Sequence, residues 1–132
     1  MIKRSPSEKE IQQQIDDYLK LDGWRVFRTD LPHLRGLGVQ EKGMPDRQYV
    51  RYLYPAPAAN AHDYCQMFWV EHKKRGGKAG EHQKAWHERE RALGALVIVA
   101  GTDFDASLDG FVRWYEQSCL QRKRITLGAV RK

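Results

Sequence analysis

Residues 95–100 read Ala-Leu-Val-Ile-Val-Ala and are apolar at every position. Such a run is typical of a β-strand that is covered on both faces. It follows a segment of helix-forming residues, Glu81 to Leu93, which Gly94 is placed to end. Because a strand entered through a crossover helix packs back onto the same sheet, this segment predicts a mixed sheet with helices on its faces, an α/β core.

The chain before this helix predicts one further helix and three strands. Ser7 can cap the first helix, because Glu10 stands three residues later in the Ser-x-x-Glu pattern, and Gly23 can end it. We expect the three strands and a last helix at residues 24–28, 46–54, 65–74 and 104–117. The Pro/Ala-rich stretch 55–60 makes the second and third strands a hairpin with a long tip. The predicted order is α-β-β-β-α-β-α, with a central four-stranded sheet flanked by helices.

The chain has the size and charge of one small basic domain. Its 132 residues suit a single core over 1–132, with a basic tail at 120–132. The net charge of +6 and the pI near 9.4 favour a polyanionic partner such as nucleic acid. We see neither a signal peptide nor an apolar run of the roughly 18 residues that span a membrane. Since two cysteines are too few for a disulfide framework, we expect a reduced cytoplasmic chain in which Cys65 and Cys119 are packing residues.

Two short segments carry the chemistry that the sequence offers. Gly43-Met44-Pro45-Asp46 leads into the second predicted strand, and Glu71-His72-Lys73 lies near the end of the third. Side chains at i and i+2 of a strand share a face, so Glu71 and Lys73 project together. If the two strands pair, Asp46 lies beside Glu71, and two carboxylates meet an ammonium at one end of the sheet.

Two clustered carboxylates repel each other unless a proton or a cation lies between them. Their hard oxygens suit Mg²⁺ or Mn²⁺, which keep positions open for water and for a phosphodiester oxygen. Lys73 could then orient the attacking water and offset transition-state charge. The alternative is structural: Asp46 is a turn residue, and Glu71 and Lys73 form an ordinary salt bridge on a solvated face. The apolar run Phe68-Trp69-Val70, which leads directly into Glu71, favours the metal site.

These segments resemble the PD-(D/E)xK nuclease superfamily and, within it, the virus-type replication-repair nuclease (VRR-NUC) family. The resemblance covers nearly the whole chain and rests on Ser7–Gln12, Phe27-Arg28, Gly43–Asp46, Val70–Lys74, and Gly77-Lys78 with Gln83. It implies a restriction-endonuclease-like core and a divalent-metal-dependent endodeoxyribonuclease. By this resemblance, Mg²⁺ or Mn²⁺ is held by Asp46, Glu71 and the main-chain carbonyl of His72. Lys73 is then the catalytic lysine, and Gln83 lies beside the site.

The first predicted helix offers two acids for this site. The family pattern places a glutamate three positions before an Ile-Gln pair, which selects Glu8 over Glu10. Glu8 also shares the inward face of Ile11, whereas Glu10 points about 100° away and is better explained as a cap partner. The predicted catalytic residues are therefore Glu8, Asp46, Glu71, Lys73 and Gln83.

Other notable side chains receive simpler predictions. A basic run after the third strand, together with one arginine of the first strand, is expected to contact DNA: Lys74, Arg75, Lys78 and Arg28. His72 stands where the family usually has an apolar residue, so it could be half exposed or touch the substrate. His82 and His87 are five residues apart, which does not suit a histidine metal site. We expect Trp86 and Trp114 to lie in the core.

The expected substrate follows from the resemblance and from the chain's small size. Stand-alone members of the family are associated with homodimers that resolve four-way junctions, and a twofold dimer matches the two symmetric scissile strands of a junction. We therefore expect a homodimeric Holliday junction resolvase, intracellular and encoded by a bacterium or a phage. The alternatives are the same chemistry on flaps or duplex DNA, in repair or restriction, and a non-catalytic nucleic-acid-binding module.

Overall fold

The computed structural model describes residues 5–29, 42–52, 65–73 and 80–120. They form α1 Glu8–Leu21, β1 Arg25–Arg28, β2 Arg47–Tyr52, β3 Cys65–Glu71, α2 Glu81–Ala92, β4 Val97–Val99 and α3 Leu108–Gln117. The strands lie in the order β1-β2-β3-β4, and all pairs are antiparallel except β3 with β4. The predicted α/β class, element order and mixed four-stranded sheet are confirmed.

The helices cover the sheet from both sides. Tyr49, Phe68, Val70 and Ile98 are buried on one face of the central strands. They form one hydrophobic cluster with residues of α1 and α3, namely Ile11, Ile15, Leu19, Phe111 and Tyr115. Trp69 points to the other face, where Trp86 of α2 meets it edge to face with ring centroids 5.2 Å apart. Helix α2 therefore covers the β3–β4 side of the sheet.

The two tryptophans predicted to be core residues pack as expected. Trp86 is buried, and Trp114 is partly buried against the main cluster. The two cysteines do not pack in the core, because both Cys65 and Cys119 are exposed. Cys65 is the first residue of β3, and Cys119 lies just beyond α3 with a φ of 68°. Their predicted packing role is wrong because both lie at the ends of elements rather than over the core.

Helix α3 starts later than predicted. Ser107 caps it by accepting a hydrogen bond from the backbone nitrogen of Gly110 at 3.0 Å, so the first helical residue is Leu108 rather than Phe104. Phe104 is instead buried and forms an isolated parallel bridge with Ala100. The apolar Phe104 therefore extends the core beyond the end of β4 instead of opening a helix.

The cap of α1 agrees with the sequence, since Ser7 Oγ accepts from the backbone nitrogen of Glu10 at 3.2 Å. The hairpin tip 55–64, the basic residues Lys74, Arg75 and Lys78, and the tail after Leu120 lie outside the described residues. Among the helices that are described, none combines the length and the apolar character needed to cross a membrane.

Candidate functional site

Asp46 and Glu71 meet where the β2–β3 ladder ends. The register pairs Arg47 with Val70, so Asp46 and Glu71 are the next residues outward on the two chains. Their side chains share a hydrogen bond. Strand β2 begins only after Asp46 and β3 ends at Glu71, so the two acids lie at the boundary between the sheet and its loops. The structure thus brings together the two carboxyls that the sequence pairs.

The electrostatics of this pair require a positive charge. Glu71 is only 1% exposed. Burial, followed by the adjacent Asp46, raises the pKa of Glu71 to about 9, while Lys73 acts to lower it. The pair therefore retains a proton at neutral pH, because two like charges side by side cannot both ionise. A metal cation is the other species that can neutralise such a pair.

Helix α2 holds the Glu71 carboxyl through an amide. Gln83 donates from Nε2 to Glu71 Oε1 at 2.9 Å. Its own Oε1 accepts from the backbone nitrogen of Gly80 at 2.8 Å, as part of the N-terminal cap of α2. Since both ends of the Gln83 amide are engaged, its orientation is fixed. Gln83 therefore lies where the sequence predicted it, beside the site.

Helix α1 holds Asp46 in the same manner. Gln12 donates from Nε2 to Asp46 Oδ2 at 2.9 Å and accepts from Arg47 Nη2 at 3.4 Å. The sequence-based prediction gave Gln12 no role. The available signal was its position four residues after Glu8, which places the two side chains on one face of the helix.

The turn that carries Asp46 packs against α2 and β1. Gly43 has a φ of +90°, and a Cβ there would collide with the backbone carbonyl of His82 at the start of α2. Only glycine fits both conditions. Beyond it, the carbonyl of Pro45 accepts from Thr29 Oγ1, and the backbone nitrogen of Thr29 donates to Asp46 O at 3.0 Å. These contacts fix the direction in which the Asp46 side chain leaves the turn.

A buried polar network lies behind the site. Arg47 pairs with Asp16 at 3.3 Å, and the Tyr49 hydroxyl donates to Asp16 Oδ1 at 2.8 Å. The same hydroxyl lies 3.0 Å from His72 Nε2 and accepts from it, since its own hydrogen is used. His72 is 1% exposed, so the expectation that it is half exposed or touches the substrate is wrong. The Tyr49 hydroxyl is the polar partner that allows the imidazole to lie on the core face. Burial lowers the pKa of His72 to about 3.

Lys73 and Glu8 lie around the carboxyl pair. Lys73 is half-buried just beyond the end of β3, and its charge favours the ionised form of Glu71. Glu8 is half-buried in the first turn of α1, and its charge raises the pKa of Glu71. Glu10 is exposed, and its backbone nitrogen is part of the cap. The assignment of Glu8 to the site, rather than Glu10, stays a prediction that this electrostatic effect favours.

Arg28 is exposed at the end of β1, where it pairs in register with Arg47. It is therefore one residue away from the position opposite Asp46. The other residues predicted to contact DNA lie outside the described ranges: Lys74, Arg75 and Lys78.

His87 is a further side chain at the site that the sequence-based prediction did not include. It is 2% exposed on α2, and its Nε2 lies 3.9 Å from Glu71 Oε1. No hydrogen-bond partner of this nitrogen is found among the described residues. Burial, followed by the charge of Arg91, lowers the pKa of His87, which favours the neutral ring. The overlooked signal was the spacing of four residues between Gln83 and His87, which places both on one face of α2.

The donor set fits a hard divalent cation that keeps most of its water. In the part of the chain that the structure describes, no group of three or more His, Cys, Asp or Glu side chains is placed to hold a metal ion. Mg²⁺ does not require such a cage, because it is usually bound by one or two carboxylates, water and substrate phosphate. The buried carboxyl of Glu71 and the half-buried carboxyl of Asp46, which retain a proton between them, match this requirement.

Comparisons of the chain with protein-family models, with curated proteins and with solved structures found no match.

Proposed function

We propose that this chain is a divalent-metal-dependent DNA endonuclease of the PD-(D/E)xK type. The observation that carries the proposal is the Asp46–Glu71 pair, in which the buried carboxyl of Glu71 shares a hydrogen bond with the half-buried carboxyl of Asp46. A structural salt bridge between Glu71 and Lys73 on a solvated face would leave Glu71 exposed and its pKa low. Glu71 is instead buried with its pKa raised to about 9. A strongly perturbed acid with a specific charged neighbour is typical of functional sites.

The oxygens of the chain would hold the ion. Following the resemblance, the donors are Asp46, Glu71 and the main-chain carbonyl of His72. Mg²⁺ or Mn²⁺ bound there would activate water and neutralise phosphate charge. Gln12 and Gln83 hold the two carboxylates in place. Because they are neutral amides, they orient the carboxylates without adding charge to the site.

Lys73 supplies a positive charge beside the carboxyl pair. We assign its ammonium to donate a hydrogen bond to the attacking water and to offset the negative charge that grows on the phosphate oxygens. Its half-buried position beyond the end of β3 suits this role, because the group is held by the fold yet open to a substrate. Glu8 completes the acidic side of the site.

DNA would bind across the end of the sheet where Asp46 and Glu71 lie. We assign phosphate contacts to Arg28, which ends β1 close to the Asp46 turn, and to the basic residues outside the described ranges, Lys74, Arg75 and Lys78. Contacts to phosphate position DNA but carry no direct sequence information. This arrangement favours an enzyme that selects DNA by its shape.

We extend the proposal to a homodimer that cuts four-way junctions. A junction presents two symmetric scissile strands, so a twofold pair of sites would match it.

A cleavage panel tests both parts of the proposal. The substrates are labelled DNAs of four shapes: four-way junction, flap, splayed arm and linear duplex. Each is incubated with Mg²⁺ or Mn²⁺ and with one of four proteins: the wild type, Asp46→Asn, Lys73→Ala or Lys84→Ala. Lys84 is the matched control, because it is an exposed lysine on α2. We expect paired symmetric nicks in the junction from the wild type and Lys84→Ala, and a loss on the order of 100-fold or more in the other two.

Each failure has a distinct meaning. Equal cutting of linear duplex would overturn the junction preference, and undiminished cutting by Asp46→Asn or Lys73→Ala would overturn the assignment of the site. DNA binding that lacks both cleavage and saturable divalent dependence, and only weakens with salt, would identify a binding module instead. A solution mass of one chain would refute the dimer while leaving the nuclease proposal intact.

A further inference from the structure

Two side chains of α2 face the same oxygen of Glu71. Gln83 Nε2 donates to Glu71 Oε1 at 2.9 Å, and His87 Nε2 lies 3.9 Å from that oxygen. His87 is 2% exposed, and its Nε2 has no hydrogen-bond partner among the described residues. A buried nitrogen without a partner is costly and rare in folded proteins, so its position beside Glu71 requires an explanation.

The chemistry of the contact determines which group is the donor. Two acceptor atoms that face each other repel, so the hydrogen of the neutral imidazole belongs on the nitrogen that faces Glu71, Nε2. A carboxyl oxygen has two lone pairs, and Gln83 uses one of those on Oε1. The second lone pair can accept from His87.

We propose that His87 is a positioning residue whose Nε2 donates a hydrogen bond to Glu71 Oε1 when the Asp46–Glu71 pair holds a divalent cation. This inference rests on the proposed function. A carboxylate that holds a cation is ionised, and hydrogen bonds to ionised acceptors shorten to about 2.7–2.9 Å. The ring then has to approach Oε1 by roughly 1 Å. With Gln83 and His87 both donating to Oε1, the carboxylate cannot rotate away from the ion.

Outer partners of this kind govern how tightly a metal is held. Removing a hydrogen bond to a ligating group typically weakens metal binding by about 10–100-fold. His87→Leu fills a similar space without a donor. His87→Gln places an amide nitrogen near the original Nε2 and restores the donor. His82→Leu is the matched control, because His82 is an exposed histidine on the same helix.

Affinity for Mg²⁺ is measured by calorimetry on the full chain without DNA, and Mn²⁺ binding is measured by electron paramagnetic resonance. We expect His87→Leu to bind about 10–100-fold more weakly, His87→Gln to bind within about threefold of the wild type, and His82→Leu to be unchanged. Thermal unfolding in EDTA checks that His87→Leu remains folded. Nitrogen-15 NMR of the histidine side chains should show Nε2 of His87 protonated with and without metal.

Wild-type affinity in His87→Leu would overturn the inference, and so would failure of His87→Gln to restore binding. A deprotonated Nε2, or nitrogen hyperfine coupling from His87 to bound Mn²⁺, would also overturn it, because the imidazole would then be a ligand rather than a donor. If the wild type binds no divalent ion, the proposed function itself fails. If the wild type binds metal and cuts DNA while His87→Leu does the same, only the present inference fails.

Discussion

Replacing Glu71 with glutamine should stabilise the metal-free protein and remove its response to Mg²⁺. Glutamine has the shape of a protonated glutamate. Its amide nitrogen can donate to Asp46, and its carbonyl oxygen can accept from Gln83, which preserves both hydrogen bonds of the native side chain. The Glu71→Gln variant therefore keeps the contacts and no longer has to bind a proton.

The size of the gain follows from the pKa of Glu71, which is raised from 4.5 to about 9 in the folded chain. Between these values the folded chain holds a proton that the unfolded chain has released, so the free energy of unfolding falls as pH rises. At pH 7, about 2.5 pH units above the pKa of 4.5 in the unfolded chain, the free energy of unfolding has fallen by about 3 kcal/mol. The Glu71→Gln variant avoids this loss. For a chain of this size the melting temperature should rise by on the order of 10 °C. The gain should grow toward pH 9 and disappear near pH 4, where both states are protonated.

Thermal unfolding in EDTA at pH 4, 7 and 9 measures this difference. Glu88→Gln is the control, because Glu88 is exposed on α2 and its replacement should change stability by no more than about 0.5 kcal/mol. Added Mg²⁺ should then raise the melting temperature of the wild type, as any ligand of the folded state does, but not that of Glu71→Gln. If Glu71→Gln is no more stable than the wild type at pH 7, the two carboxyls do not share a proton and the reasoning is refuted.

Three further substitutions test the surroundings of the site. Tyr49→Phe removes the hydroxyl that accepts from His72 and should cost about 1–3 kcal/mol in urea unfolding; a loss below the error of the method would contradict the buried network. Gln12→Ala should weaken Mg²⁺ binding by about 10–100-fold in calorimetry, whereas Gln13→Ala, at an exposed position, should not; equal affinities would remove Gln12 from the site. Gly43→Ala should cost about 2 kcal/mol or more, because of its positive φ and the backbone that faces it, and an unchanged unfolding midpoint would disprove that packing.

Much of the fold was predictable because the pattern of apolar residues shows which segments are buried. The run at 95–100 is apolar at every position, and its centre, Val97–Val99, is buried on both faces as predicted. The meeting of Asp46 and Glu71 was also predictable, since a hairpin brings the start of one strand to the end of the next. Both predictions depend on local pattern and on chain connectivity, which the sequence contains directly.

The features that were missed depend on how the helices pack against the sheet. Gln12 and His87 reach the site only because α1 and α2 lie over its two sides, and no local pattern specifies that placement. The burial of His72 depends on Tyr49 of the neighbouring strand, since an imidazole on the core face needs a partner there. Long-range contacts of this kind explain why the carboxyl pair could be predicted but the groups that orient it could not.

The contact between Gly43 and the carbonyl of His82 joins the two halves of the site through backbone alone. The turn on one side carries Asp46, and the helix on the other carries Gln83. Because only the backbone of residue 82 takes part in this contact, its side chain can vary among related chains without moving the Asp46 turn or α2. Position 43 has no such freedom. We therefore expect related chains to retain glycine at position 43 and to accept many residue types at position 82.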